Sequence, residues 1–261
     1  MAFGFLKRAR EAEQVRLSSP LRVPAFCEGS GQGACVTICT ASEACPCGCD
    51  EVRRAIVNEI HSQGLVVRVG RIKAACNGVC PYGPLVGFPQ KGFYYHHLNP
   101  ERARQVVAET LAQGHILFDL LHVDPCHASS GRFIYDQASG FVAAIDESSC
   151  MVEVARYFME FERGVSCGKC VPCRVGSVRL RELLDGIVAG EGRPEDLEEM
   201  SAICDAMRFA AYCNYGAFGS GPVAAILKHF RAEVEAHVTQ KICPTGACEK
   251  LKKGEGAQES I

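Results

Sequence analysis

The chain has 261 residues, average apolar content, and 28 Lys and Arg against 30 Asp and Glu, for a net charge of -2. That length allows one large core or two modest ones, and the near-neutral charge argues against nucleic acid or an anionic membrane as the main partner. No apolar run approaches the roughly 20 residues that span a bilayer, and the N-terminus lacks the basic-then-apolar order of a secretory signal, so a cytoplasmic chain with protein partners is expected.

In chain order, Phe3, Phe5 and Leu6 followed by Lys7, Arg8 and Arg10 read as a short amphipathic arm or a loose terminus, within an arm and loop of residues 1–35. The glycine-rich stretch Glu28 to Gly33 makes a poor phosphate cradle, because no strand clearly precedes it and no Lys-Ser/Thr pair follows. Residues 36–114 alternate strand-like and helix-like runs: a helix over 52–63, strands at 65–69, 85–88 and 93–95, and a helix over 101–113 opened by Pro100 and closed by Gly114. Residues 115–145 have no sustained period and contain Asp124-Pro125, Ser129-Ser130-Gly131 and Ser139-Gly140, so they read as a linker with room for one strand pair. Helices are then predicted over 148–161, 172–188, 194–207 and 222–237, a small bundle within a domain of residues 146–238, followed by a Cys-containing tail of 239–261.

Seventeen cysteines exceed what packing requires. Disulfides, metal or cluster sites, and redox thiols compete as explanations. The odd count and the expected compartment disfavour a disulfide framework and favour ligation to iron or zinc. Cys167, Cys170 and Cys173 form a Cys-x2-Cys-x2-Cys loop that can wrap one side of a compact inorganic core, with the distant Cys213 closing the cage. Gly168 permits tight turning, and Lys169 and Arg174 offset a cluster's negative charge. A four-thiolate zinc site is the alternative, but this spacing suits a cubane better.

Cys76 and Cys80 sit in a turn leading to Pro81-Tyr82-Gly83-Pro84, and Cys39, Cys45, Cys47 and Cys49 precede the first helix. Two thiolate pairs on neighbouring loops are what a 2Fe-2S rhomb needs, whereas Cys-x3-Cys is not the Cys-x-x-Cys spacing of a thiol oxidoreductase. Toward the C-terminus, Cys150, His237, Cys243 and Cys248 can make a tetrahedral zinc site, the alternative being free thiols and a histidine on a helix end. Cys204 falls on a helical apolar position and reads as a core residue. Cys27, Cys35 and Cys126 have no assigned chemistry.

These strings carry a resemblance. The stretch 145–237, through Asp146-Glu147-Ser148-Ser149-Cys150, Ala155-Arg156-Tyr157-Phe158, Ser166 to Gly176 and Lys228-His229-Phe230-Arg231, resembles the C-terminal helical domain of the NADH-binding flavoprotein subunit of respiratory complex I and NAD-linked or electron-bifurcating hydrogenases. The resemblance implies a 4Fe-4S cluster on Cys167, Cys170, Cys173 and Cys213, and a structural zinc on Cys150, His237, Cys243 and Cys248. One departure is Asn214-Tyr215-Gly216 after the fourth cysteine, where the family usually has Gly-Leu-Gly. Residues 36–114 are similar to the thioredoxin-like 2Fe-2S domain of companion subunits, which implies a 2Fe-2S cluster on Cys39, Cys45, Cys76 and Cys80. Five residues separate Cys39 from Cys45 where the family has four, so Cys47 or Cys49 can replace Cys45.

The expected fold class is therefore α+β, an N-terminal thioredoxin-like α/β domain followed by a C-terminal four-helix-bundle iron-sulfur domain. The FMN and NADH domain of the resembling flavoproteins has no counterpart between residues 114 and 145, so no flavin is expected in this chain. The functional expectation is a non-catalytic electron-relay subunit of a multi-subunit oxidoreductase of NAD(P)-linked hydrogenase or dehydrogenase type. Its expected partners are a flavoprotein and further iron-sulfur subunits. The alternative is a non-redox assembly subunit stiffened by metal sites.

Overall fold

The computed structural model describes residues 21–28, 33–39, 47–76, 82–121 and 132–253. Cys45, Cys80, Cys126, most of the N-terminal arm and the end of the tail lie outside the described residues. No helix among the described residues is long and apolar enough to cross a membrane.

A mixed six-stranded sheet organises the molecule. Its strands are β1 (Val36–Cys39), β2 (Val69–Ala75), β3 (Val86–Phe88), β4 (Phe93–Tyr95), β5 (Phe133–Asp136) and β6 (Phe141–Ala144), in the order β4-β3-β1-β2-β6-β5. Within it β1 and β2 run parallel, with Cys39 opposite Ile72. The crossover between them is helix α1 (Cys49–Ser62), which buries Val52, Ala55, Ile56 and Ile60 on the sheet. Helix α2 (Pro100–Gln105) begins as the sequence predicts, with Pro100 in its first turn and Asn99 Oδ1 accepting from Arg102 N at 2.8 Å. It continues as a π-helical turn over Val106–Leu111.

Two sequence expectations change here. The strand expected at 65–69 lies instead at Val69–Ala75, where Leu65 makes only an isolated bridge to Arg22. Gly70, Ala74 and Ala75 have weak strand preference, and pairing to β1 on one side and β6 on the other overrides it. The strand pair in the stretch read as a linker is the β5–β6 hairpin, and it extends the N-terminal sheet through Ala75 opposite Val142.

The helices after the hairpin are α3 (Met151–Val165), α4 (Val171–Val188), α5 (Pro194–Ala210), α6 (Asn214–Phe218), α7 (Gly221–His229) and α8 (Arg231–Glu235), the last continuing as a π-helical turn over Ala236–Gln240. The single helix expected over 222–237 is broken at Phe230, whose φ of -124° and ψ of 30° interrupt it. Lys241 then adopts a left-handed φ of 57° and turns the chain into β7 (Ile242–Cys243), which pairs in parallel with β8 (Lys252–Lys253).

The helical core continues onto the sheet. Met151, Phe158, Leu180, Leu184, Met200 and Ile226 pack in one buried cluster that also takes in Ala75, Val142 and Ala144. Lys73 on β2 reaches the helices, pairing with Glu233 at 2.7 Å and donating to the Ser149 carbonyl at 2.9 Å. Glu233 also accepts from Met151 N at 2.8 Å, so one half-buried carboxylate ties α8, the start of α3 and the sheet. The Tyr135 hydroxyl donates to the Phe218 carbonyl and rests where a Cβ on Gly221 would overlap it. Glycine at 221 is thus required by close approach of the hairpin to α7.

Candidate metal centres

The first site forms where α3 gives way to α4. Gly168, at a left-handed φ of 67°, turns the loop so that its N-H donates to Ser166 Oγ at 3.2 Å, and that hydroxyl lies 3.2 Å from Cys173 Sγ. Arg174 closes the loop by donating from Nη1 to the Gly168 carbonyl at 2.9 Å. Cys170 is the N-cap of α4 and Cys173 lies in its first turn, where N-H groups and the helix dipole favour thiolates. The Tyr212 N-H, and next the Cys173 N-H, hold the Cys170 thiol below its ordinary value. Tyr212 precedes Cys213, the N-cap of α6, so that contact brings the fourth cysteine's loop onto the triplet. Burial pushes the Cys173 thiol up, Ser166 opposes it, and the charges of Cys170, Cys167 and Cys213 raise it further. Four thiols on two loops, with N-H donors directed at sulfur, are a donor set that fits an iron-sulfur cluster.

Behind this site lies a polar group that hydrophobic periodicity does not single out. Glu162 falls on the buried stripe of α3 with Ala155, Phe158 and Met159, and is 3 % exposed. Gln137 Nε2 donates to it at 3.4 Å, and burial, followed by Glu162, pushes the Tyr215 phenol up. The signal in the sequence is a carboxylate on an apolar helix face, which burial tolerates only with polar company.

A second group is fully enclosed. Cys150, His237, Cys243 and Cys248 are all buried, and their ligand atoms lie within 4.8 Å of one another. Cys150 Sγ is 3.2 Å from His237 Nε2, Cys248 Sγ is 3.5 Å from the same nitrogen, and Cys248 and Cys150 are 3.7 Å apart. His237 Nδ1 faces the Glu233 carbonyl at 2.7 Å, which leaves Nε2 directed at the thiols. The contact with Cys150 lowers Cys243 to about 3 and Cys248 to about 7, while the Cys150 proton is held far more tightly. Burial opposes the charged form of His237, but Cys248 and the Glu233 carbonyl lift it to about 9. Three sulfurs and one imidazole nitrogen at this spacing, with a carbonyl orienting the imidazole from behind, fit a tetrahedral metal ion.

At the N-terminal site, Cys39 ends β1 and Cys76 follows β2, and both pack in one cluster with Cys47 and Cys49. Of the four cysteines expected to hold a 2Fe-2S group, Cys39 and Cys76 border the same core cluster, while Cys45 and Cys80 lie outside the described residues. Cys204 is a buried core residue, its Sγ 3.8 Å from the Ser220 carbonyl. Cys27 and Cys35, given no chemistry from sequence, are joined in a disulfide. Their pairing depends on the 3-10 turn at Ala25–Cys27 packing through Phe26 on Phe88 and Phe93, which spacing alone does not reveal.

Residues 153–237 match the family described as the NADH-ubiquinone oxidoreductase-F iron-sulfur binding region. The NADP-reducing hydrogenase subunit HndC of Solidesulfovibrio fructosivorans is 40% identical over 113 residues, 43% of this chain and 23% of that protein. The F 2 subunit of NADH-quinone oxidoreductase from Rhizobium meliloti (strain 1021) is 42% identical over 106 residues, 41% of this chain and 25% of that protein. The chain thus spans about a quarter of the length of the curated relatives it matches. A crystal structure of NAD+-reducing NiFe-hydrogenase in the H2-reduced state is 34% identical over 38% of this chain and 17% of its own, with a TM-score of 0.36. Over residues 153–237, this chain is similar to the iron-sulfur binding region of the NADH-ubiquinone oxidoreductase-F type.

Proposed function

We propose that the chain is an electron-transfer subunit of a multi-subunit oxidoreductase of the NAD(P)-linked hydrogenase or dehydrogenase type, passing single electrons between a partner flavoprotein or ferredoxin-like site and a catalytic subunit. The observation that carries this reading is the Cys167, Cys170 and Cys173 loop, held against the Cys213 loop by the Tyr212 N-H inside the matched region. A bound 4Fe-4S cluster there supplies one-electron storage. Ser166, the Tyr212 N-H and the start of α4 favour negative charge on the sulfurs, and Arg174 keeps the loop shut.

In the same reading, residues 36–114 are a thioredoxin-like domain holding a 2Fe-2S cluster on Cys39, Cys45, Cys76 and Cys80, with Cys47 or Cys49 as replacements for Cys45. The β5–β6 hairpin continues its sheet onto the helical iron-sulfur domain of 146–238, and Cys150, His237, Cys243 and Cys248 hold a zinc ion that fastens the 239–261 tail. The cytoplasm is the proposed compartment. Anaerobic purification with iron, sulfide and zinc analysis and EPR tests the whole: about six irons and two distinct reduced signals are expected, and a single signal type removes the second cluster.

The buried quartet favours a second reading, an assembly subunit that metal only stiffens. Cys76→Ser separates the two: an intact complex with arrested electron transfer supports the relay, and unaltered turnover supports the scaffold.

A further inference from the structure

Seven of the twelve large apolar side chains exposed among the described residues belong to the two segments that bear the cluster cysteines: Val165, Val171, Val175, Val178, Phe209, Tyr212 and Phe218. Phe209 is 80% exposed and Tyr212 90%, far beyond what an aromatic residue in a monomer's surface needs. They share a face with the cysteines. Tyr212 N-H meets Cys170, Gly216 lies against Cys173, and Gly176, next to Val175, lies against Met207 near the end of α5. Cys167 and Cys213 are themselves exposed there.

The charges on this face are mostly positive. Residues 163–178 and 205–218 contain Arg163, Lys169, Arg174 and Arg208 but a single carboxylate, Asp205. Arg163 is taken up by Glu160, and Lys169, Arg174 and Arg208 remain exposed around the apolar centre, Arg208 over the Phe209 ring. An apolar centre with a charged rim is how transient protein interfaces are built, and aromatic and arginine side chains are their usual anchors.

Resting on the electron-transfer reading above, we propose that this face is the docking surface for a separate acidic redox protein. Val171, Phe209 and Tyr212 seat the partner's apolar centre, and Lys169, Arg174 and Arg208 pair with its carboxylates. Docking there brings the partner's redox group onto Cys167 and Cys213, the exposed thiols of the set. One electron then passes between the two proteins, one group being oxidised as the other is reduced.

The test uses the full chain reconstituted anaerobically, with its 4Fe-4S EPR signal recorded, and a reduced acidic 2Fe-2S ferredoxin as probe. Stopped-flow absorbance follows ferredoxin oxidation as the bound cluster is reduced. The second-order rate constant is expected to fall at least about tenfold between low and high salt. Arg208→Glu and Phe209→Ser, both away from the ligands, are each expected to lower it about tenfold while leaving the EPR signal unchanged. Val175→Ser provides a second apolar variant. A rate indifferent to salt and to these variants, in a chain with an intact cluster signal, overturns the docking proposal and leaves electron transfer standing. So does a wild-type dimer that Phe209→Ser dissociates in sedimentation, since a second copy then occupies the face. A chain that takes up no cluster overturns both readings.

Discussion

Cys150 and His237 are separated by 87 residues in sequence, yet Cys150 Sγ stands 3.2 Å from His237 Nε2. Cys150 is the N-cap of α3 and His237 lies in the π-helical turn that follows α8, so the pair fastens the first helix of the C-terminal region to the last. Cys243 and Cys248 bring the tail onto the same point. A metal ion here would add the tail to two segments that the Glu233 carboxylate already joins through Met151 N.

Removing that metal therefore reads out as stability. Cys243→Ser is expected to lose one zinc per chain and at least about 2 kcal/mol, the scale of a ligand bound well above its dissociation constant. Urea unfolding with parallel zinc analysis checks it, and the 4Fe-4S EPR signal is expected to persist. Equal unfolding midpoints in the variant and the parent would count against a metal at the quartet.

Cys213→Ser tests the other centre. The substitution is expected to remove the 4Fe-4S signal and about four irons while leaving a 2Fe-2S signal from the N-terminal cysteines. Its far-UV circular dichroism should match the parent, because Cys213 is exposed and caps only the short α6. Retention of all iron would remove Cys213 from the ligand set.

The contact between hairpin and bundle makes a sharper demand on packing. Gly221→Ala places a methyl into the Tyr135 hydroxyl and is expected to cost about 1–3 kcal/mol. Tyr135→Phe in the same chain removes the overlapping oxygen and should return part of that loss, a coupling that a double-mutant cycle measures. Additive effects would mean that the hairpin and α7 do not press on each other.

Cys204 gives the pH dependence. Burial pushes its thiol from 9.0 up to about 12. Between those values the folded state keeps a proton that the unfolded state has released, so stability falls as pH rises above 9, by about 1.4 kcal/mol per pH unit at most. Cys204→Ala is expected to be less stable than the parent at pH 8 through the lost contact, and to show a shallower decline between pH 9 and 11. Urea unfolding at those pH values decides it, and parallel declines would mean that Cys204 does not titrate in this range.

Features that depend on short stretches of chain are legible in the residues themselves. Pro100 and Asn99 mark the start of α2, Pro172 and Pro194 lie in the first turns of α4 and α5, and the Cys167, Cys170 and Cys173 loop is visible in its spacing. Capping, proline geometry and thiol spacing act over a few residues, and sequence records them directly. The 69–75 strand escapes such reading for the opposite reason. Gly70, Ala74 and Ala75 say little about strand formation, and β1 and β6 supply the reason from elsewhere in the chain.

The sequence by itself determined the α+β character, the richness in thiols and the similarity of residues 153–237 to an iron-sulfur binding region. Only the tertiary structure decided that the β5–β6 hairpin extends the N-terminal sheet, that Cys27 pairs with Cys35, that Glu162 is buried behind the cluster site and that Phe209 and Tyr212 stand exposed beside it. Each of these depends on which distant segments meet. Local propensity does not encode that meeting; burial of apolar faces and completion of the sheet's hydrogen bonds select it once the whole chain is present.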